Sequence, residues 1–304
     1  MSLLILCPGQ GGQTPEMFGR LVADPLTAGA CTELGRNIAG DFSTLAADPA
    51  RCFANRFAQP LICLYQMSVW SALASAGVRP AVVAGYSVGE LAAWGVAGAL
   101  STPDVLRAAT ERAAAMDAHA PAASGMLAVR GLRLAVIEAA AIKHGVAIAI
   151  RNGADHAVLA GPIAALEVVQ RSLSESSAAH VVRLPISVPA HSPWLASAVS
   201  EFADVLAAMP WKESATPVLA GIDGQPRYRP MEAISTLSRQ IAETLEWARV
   251  MDVAVEMGAT RAFEIGPGNA LCRMWRERHP GLDARALDDF TSVAGAIRWL
   301  QRAE

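Results

Sequence analysis

Ala81-Val82-Val83-Ala84-Gly85-Tyr86-Ser87-Val88-Gly89-Glu90 is the stretch that decides the fold. An apolar run ends in Gly-x-Ser-x-Gly and passes into an Ala-rich segment, which reads as a strand, a tight turn and a helix. That order is a nucleophile elbow, a turn that exposes the Ser87 hydroxyl where acyl-transfer chemistry wants a nucleophile. Gly85 and Gly89 let strand and helix pass closely, while the serine takes an unusual backbone conformation. Pentapeptides of this kind also occur by chance. The strand before it and the helix after it give this one its weight.

Working outward, a first strand is expected at Leu3–Cys7, emptying into the glycine loop Gly9-Gln10-Gly11-Gly12-Gln13. Leu61, Leu64, Met67 and Ser68 recur at helical spacing and predict a helix over Pro60–Ala76, stopped by Gly77. The elbow helix ends near Gly95–Gly98, and a further helix at Pro103–Asp117 carries Leu106, Ala109, Ala113 and Met116 on one side.

Between Ala123 and Leu184 the texture changes to a short-element pattern. Strands are expected at Met126–Val129, Val146–Arg151, His156–Ala160 and Ala179–Leu184, with helices at Leu132–His144 and Ile163–Glu175. Strand-helix-strand-strand-helix-strand is the split βαβ order of a ferredoxin-like unit. Past Pro185 the pattern returns to helices at Trp194–Met209 and Ser235–Met257, a strand at Arg261–Ile265 and a loop at Gly266–Asn269. The expected fold class is therefore α/β. An α/β-hydrolase-like large domain with a parallel sheet (1–122 and 185–304) would carry an inserted ferredoxin-like small domain (123–184). Sheets of that kind place ligands at the carboxyl ends of their strands.

Composition narrows the function. The 304 residues are 53% apolar and 17% charged, which suits a compact enzyme with a sizeable core. A net charge of −3 argues against nucleic acid as the main partner, although a local basic patch could still serve an acidic one. Met1–Cys7 lacks a basic start and runs into Pro8-Gly9, so it is expected to be a buried strand and not a signal sequence. No uninterrupted apolar stretch approaches a membrane span, and no membrane partner is expected. The five cysteines are widely spaced, indicating neither a disulfide scaffold nor a zinc cluster. No metal is expected, and the cytoplasm is the simplest location.

Three features could carry chemistry beside Ser87. His191 sits in the Pro-bracketed loop Val188-Pro189-Ala190-His191-Ser192-Pro193. By itself it could be an ordinary surface or core histidine; paired with an activated serine it becomes the general base. The other five histidines have no comparable setting. Arg112 follows Ser87 by 25 residues on an otherwise small and apolar helix. It reads either as one of several solvent-facing arginines or as a fixed cation able to take a substrate carboxylate in a bidentate pair. Composition does not choose between them. The Gly9–Gly12 turn could direct amides at a developing oxyanion or a phosphate, but it has the spacing of neither the dinucleotide fingerprint nor the Walker loop.

Taken together these pieces resemble the malonyl-CoA:acyl-carrier-protein transacylase family across nearly the whole chain. The family's opening Pro-Gly-Gln-Gly-x-Gln is matched by Pro8–Gln13, and its Gly-His-Ser-x-Gly-Glu by Gly85–Glu90. The family arginine and following methionine fall on Arg112 and Met116, and its asparagine ahead of Ala-Gly falls on Asn152 before Ala160-Gly161. Pro-x-x-x-Pro-x-His is Pro185–His191, Arg-Gln is Arg239-Gln240 with Trp247 behind, and Glu-x-Gly-Pro-Gly is Glu264–Gly268.

The resemblance implies malonylation of Ser87 with His191 as base, and an oxyanion hole from the backbone amides of Gln10 and Val88. It implies that Arg112 binds the malonyl carboxylate, that Gln240 orients His191 through its backbone carbonyl, and that Asn152 contacts the acyl or pantetheine portion. Met116 would bind substrate or orient the site. No cofactor is expected; malonyl-CoA is the implied donor and a carrier-protein thiol the acceptor. Tyr86 departs from the family histidine. With Gly12 it resembles the malonyl transferase subunit of bacterial malonate decarboxylase, whose carrier subunit bears phosphoribosyl-dephospho-CoA in place of the plain phosphopantetheine of acyl carrier protein. The rivals are a serine thioesterase, indifferent to loss of Arg112, and a non-catalytic carrier-docking subunit. Arg273, Arg276 and Arg278 could receive an acidic carrier or simply form a solvated helix face.

Overall fold

The computed structural model describes residues 2–38, 40–175 and 180–301. Its larger sheet contains β1 (Ser2–Cys7), β2 (Val82–Gly85), β7 (Val218–Leu219), β8 (Pro226–Arg227), β9 (Ala259–Glu264) and β10 (Asp283–Ala286), in the spatial order β10-β9-β1-β2-β7-β8. The smaller sheet contains β3 (Ser124–Arg130), β4 (Ala147–Arg151), β5 (His156–Pro162) and β6 (His180–Arg183), in the order β4-β5-β3-β6. The protein is thus a two-sheet α/β fold with a ferredoxin-like smaller unit.

The central strands are apolar on both faces because both faces are covered. Leu4 and Ile5 in β1 and Val83 and Ala84 in β2 are wholly buried, the mark of a strand inside a parallel sheet. β1 pairs in parallel with β2 in register Cys7↔Gly85 and with β9 in register Leu6↔Glu264, so three strand ends meet at one rim. The loops after those strands are the glycine turn, the elbow and the Gly266–Asn269 turn. The sheet is mixed, however, where a parallel one was expected: β7 and β8 are antiparallel. Gly224, at φ +71°, closes a tight turn by donating its amide to the Ala220 carbonyl at 2.7 Å, and a turn that short can only reverse the chain.

The smaller sheet is antiparallel throughout. Its helices, Leu134–His144 and Ile163–Ser174, bury Ile137, Leu166 and Val169 with Leu127 and Leu159 in a separate small core. The expected strand beginning at Ala179 is seen as β6, and Ala179 itself lies outside the described residues. At one edge the two units are stitched together. Leu245 donates its amide to Ala149 at 2.9 Å and accepts from Arg151 at 2.8 Å, and Thr244 Oγ1 donates to the Ile148 carbonyl at 2.7 Å.

Three helix expectations change. The helix expected from Pro60 starts at Asn55, with Pro60 inside it. Its extra turn is held by side chains: Asn55 Nδ2 donates across to Asp117 Oδ1 at 2.8 Å, and Gln59 Nε2, one turn on in the same helix, donates to Asn55 Oδ1 at 2.7 Å. The region expected as one helix at Trp194–Met209 is a 3-10 turn at Pro193–Leu195 followed by a helix at Ala198–Ala207. Ser235–Met257 divides into Pro230–Arg239 and Trp247–Glu256. Residues 240–246 leave helical geometry because their backbone groups bond elsewhere, Gln240 to His191 and Leu245 to β4. Short helices at Met17–Ala23, Ala28–Gly35, Phe42–Ala47 and Pro49–Phe53, and a later one at Val293–Gln301, have no counterpart in the sequence expectations, while Arg273, Arg276 and Arg278 do share a helix, Ala270–Arg278.

Candidate active site

The elbow is built as its spacing requires. β2 stops at Gly85, Ser87 takes φ +56°, and the helix Gly89–Val96 begins with Val88 as its N-cap. A side chain at Gly89 would collide with the Cys7 carbonyl, and one at Gly85 with the Glu90 backbone. Both glycines therefore allow a close approach that any Cβ would prevent. Gln66 Nε2 reaches the Pro8 carbonyl and fixes the adjoining glycine turn.

His191 meets the serine from the opposite side. Its Nε2 lies 2.8 Å from Ser87 Oγ, and its Nδ1–H donates to the Gln240 carbonyl at 2.5 Å. A carbonyl can only accept, so Nδ1 carries the proton and Nε2 offers its lone pair to the hydroxyl. Burial, reinforced by the nearby Arg112 charge and opposed by the Gln240 carbonyl, pushes the imidazole from its usual 6.5 down to about 3. The base is neutral at physiological pH.

Arg112 is buried behind the serine, not solvent-facing. Its Nη1 donates to Gln59 Oε1 at 2.8 Å and its Nη2 to Gln240 Oε1 at 3.1 Å, with Ser87 Oγ 3.4 Å from Nη2. Both firm partners are neutral amides, so the guanidinium is held without being neutralised. Burial lowers it from 12.5 to about 10, which leaves it charged at neutral pH. The same burial raises the adjacent Cys63 thiol to about 12, so it stays protonated.

A cavity of about 220 Å³ opens onto this pair between the two sheets. The larger unit lines it with Gln10, Ser87 and His191, the smaller with Met126, Ile150 and Asn152. Arg112, Met116, Gln240 and Val88 stand behind its wall. Met116 Sδ touches Gln59 Nε2 at 3.4 Å and so backs the residue that holds Arg112. Among the described residues the backbone amides of Gln10 and Val88 have no hydrogen-bond partner, as donors kept for an oxyanion would not. Asn152 takes the Tyr86 hydroxyl on its Oδ1 at 3.2 Å, and its Nδ2 lies 3.3 Å from His156 Nε2. Tyr86 in turn stacks edge-on against Trp247, ring centroids 5.1 Å apart.

Several participants escaped the sequence reading. His156 has no distinctive setting in the sequence, yet it lines the cavity; it follows Asn152 by four residues across the β4–β5 turn, and that hairpin spacing is its only trace. Gln59 and Asn55 join the site through buried polar bonds from a distant part of the chain, and Glu90, the last residue of the elbow motif, joins it through Gln240. Glu264 also reaches the cavity, with a carboxyl that burial raises to about 8, and it accepts the Cys272 amide at 2.8 Å in the first turn of Ala270–Arg278. Arg278 is committed to Asp252 through two bonds of 2.6 Å, whereas Arg273 is exposed. Among the described residues no cluster of three or more His, Cys, Asp or Glu could hold a metal, and no helix is long and apolar enough to cross a membrane. All five cysteines are free.

A serine whose hydroxyl is shared with a neutral imidazole at a parallel strand's carboxyl end, against a charge held in reserve, defines an acyl-transferring enzyme of the serine type. The chain belongs to the acyl transferase domain family, which it matches over residues 5–260. It is 33% identical over 288 residues to the polyketide biosynthesis protein ThaF of Burkholderia thailandensis; that match covers 90% of this chain but 24% of ThaF, so the chain spans about a quarter of that relative. It is 26% identical over 299 residues to the malonyl CoA-acyl carrier protein transacylase of Salmonella typhimurium, covering 95% of this chain and 97% of that protein. Among solved structures, the acyl-carrier-protein S-malonyltransferase of Burkholderia pseudomallei superposes with a TM-score of 0.90 at 26% identity, over 98% of this chain and 100% of the other. The malonyl-CoA:acyl carrier protein transacylase of Xanthomonas oryzae gives 0.91 at 28% identity, over 98% and 99%.

Proposed function

We propose that the protein moves a malonyl group from malonyl-CoA to a carrier-protein thiol through a malonyl ester on Ser87. The observation that carries this reading is the Arg112 guanidinium, buried 3.4 Å from the nucleophile and held only by neutral amides. Such a charge is costly until an acid pairs with it. A carboxylate on the acyl chain supplies that acid, and an acetyl group does not.

In the first half-reaction His191 Nε2 takes the Ser87 proton as Oγ attacks the thioester carbonyl. The oxyanion falls to the Gln10 and Val88 amides. Collapse breaks the carbon–sulfur bond, and the CoA thiolate leaves with the proton from His191. The carrier thiol then gives its proton to His191, attacks the ester and regenerates Ser87. Gln240 keeps His191 in one tautomer, Met116 supports Gln59 behind Arg112, and Asn152 contacts the acyl or pantetheine portion. The division into a large domain (1–122 and 185–304) and a capping small domain (123–184) belongs to the same proposal, the cap limiting access of water to the ester.

The relatives use acyl carrier protein by name, which favours a phosphopantetheine acceptor. A second reading, charging of the malonate decarboxylase carrier with its phosphoribosyl-dephospho-CoA arm, rests on Gly12 and Tyr86. Both acceptors fit a cytoplasmic reaction. The test is the intact mass after incubation with malonyl-CoA or acetyl-CoA. A malonyl adduct that needs Ser87 and fades in Arg112→Ala supports transfer. Thioester loss without adduct turns the reading to a thioesterase, and neither turns it to a docking subunit. Presenting each carrier to the malonyl-enzyme then separates the two acceptors.

A further inference from the structure

We propose that Glu90 is a positioning residue for the transfer reaction: its carboxyl fixes which way the Gln240 amide faces, and through Gln240 it aligns Arg112 and His191 together. The selectivity part of this inference rests on the malonyl-transfer reading; the alignment of His191 does not.

Glu90 lies three residues past Ser87 in the first turn of Gly89–Val96, and it is 1% exposed. Its amide donates to the Ser87 carbonyl at 3.0 Å, but its carboxyl neither bonds the Ser87 hydroxyl nor lines the cavity. Its Oε2 accepts two donors, the Gly221 amide at 2.9 Å and Gln240 Nε2 at 2.7 Å. Gln240 is wholly buried, and its two ends serve different partners. The side-chain oxygen accepts from Arg112 at 3.1 Å, while the backbone carbonyl accepts the His191 Nδ1–H.

A primary amide fills nearly the same volume with oxygen and nitrogen exchanged, so shape alone does not orient Gln240. Chemistry does. Reversed, its NH2 would face a guanidinium that has only donors, and its oxygen would face a Glu90 oxygen that already accepts from Gly221. An acceptor at position 90 therefore selects the orientation that gives Arg112 its second support. Without it the amide is free to turn, and a donor set against a donor in a buried site is unfavourable.

The amide spacer also explains why a buried acid and a buried cation coexist here without pairing directly. A direct ion pair would neutralise Arg112 and compete with the substrate carboxylate. Burial raises the Glu90 carboxyl to about 8, so at neutral pH it is mostly protonated and organises the site through an oxygen acceptor, not a counter-charge. Its other oxygen, Oε1, has no hydrogen-bond partner and is where that proton would sit.

Two variants separate an acceptor from a charge. Glu90→Gln keeps an oxygen that can receive both donors; Glu90→Met keeps the length and removes the acceptor. We would measure acylation rates with malonyl-CoA and acetyl-CoA, and the downfield Nδ1 proton of His191 by NMR, in wild type and both variants. The expected result is that Glu90→Met lowers the malonyl-to-acetyl rate ratio by about tenfold or more and broadens or shifts the His191 proton, while Glu90→Gln stays within about threefold of wild type in the ratio and keeps the proton. A folded Glu90→Met that retains both readouts overturns the proposal, as does equal damage in the two variants. If Glu90→Met does not fold, Glu90→Leu takes its place beside Glu90→Gln: loss in Glu90→Leu alone upholds the proposal, and retention of both readouts in Glu90→Leu, or their loss in Glu90→Gln, overturns it. If the wild type itself shows no malonyl preference, the transfer reading fails, and the His191 proton alone decides the role of Glu90.

Discussion

Ser87 and His191 both hold a left-handed backbone, φ +56° and +59°, and their Oγ and Nε2 atoms meet at 2.8 Å across 104 residues of chain. Non-glycine residues in this region carry strain of roughly 1–3 kcal/mol each, and they persist only where the surroundings over-determine them. Here the elbow glycines fix one residue, and the 2.8 Å bond from the His191 amide to the Ile241 carbonyl fixes the other. Neither partner has to reorganise for the proton to move.

That strain can be read out at the serine. Ser87→Gly and Ser87→Ala both remove the nucleophile and should give no acyl adduct, but glycine takes φ +56° without strain, whereas alanine, as at Ala123, holds such an angle only at a cost. Ser87→Gly is expected to be the more stable of the two by about 1 kcal/mol, measured by urea unfolding. Equal midpoints would mean that the elbow is not strained.

Arg112→Met keeps the length of the side chain and removes the charge. Acylation by malonyl-CoA should fall by about 100-fold, as expected for loss of a charge-assisted pair, while acylation by acetyl-CoA holds or rises because no unpaired cation is left behind. Parallel rate measurements with the two thioesters check this. A uniform fall with both would reduce Arg112 to a structural support.

The depressed His191 value has a definite sign. A base that gains its proton near 3 instead of 6.5 remains competent on the acid side, so the acylation rate should be flat from pH 8 down to about 5 and not halve near 6.5. The folded chain resists a proton that the unfolded chain accepts. Stability contributed by this residue is therefore complete above 6.5 and is lost as pH falls from there toward the folded value near 3. Single-turnover acylation against pH tests the first statement, and urea midpoints of wild type and His191→Gln across the same range test the second.

Tyr86→Phe removes one hydroxyl and leaves the ring on Trp247. The released Asn152 should bind the thioester less well, raising KM for malonyl-CoA by about threefold to tenfold with kcat within about twofold. Steady-state kinetics decides the point. A fall in kcat at constant KM would move Tyr86 into the chemistry itself.

What was legible in advance follows the reach of each interaction. The elbow is a local device, and Gly85, Ser87 and Gly89 announce it within five residues. The order of elements from Ser124 to Arg183 was also readable, because alternation and helical spacing change sharply there. The break after Arg239 was not: residues 235–257 keep a helical texture, and the chain leaves the helix only because His191 and Ala149 compete for its backbone groups. β7 and β8, two residues each, are too short to show a period. Arg112 could be placed only with the help of family resemblance, since its two holders, Gln59 and Gln240, lie 53 and 128 residues away. Buried amides such as Asn55 and Gln59 look like ordinary helix residues until the neighbouring helix is in place.

The bonds from Thr244 and Leu245 to β4 bear on how a long pantetheine arm gets in. Three hydrogen bonds, at 2.7, 2.8 and 2.9 Å, tie the smaller sheet to the segment that begins at Gln240. Swinging that sheet away on this side would break bonds worth about 1 kcal/mol each and drag the main chain that orients the base. The cleft therefore behaves less like a jaw than like a sleeve fastened along one seam. On the proposed reading the arm would thread in from the free side, leaving the alignment of nucleophile and base intact between one delivery and the next.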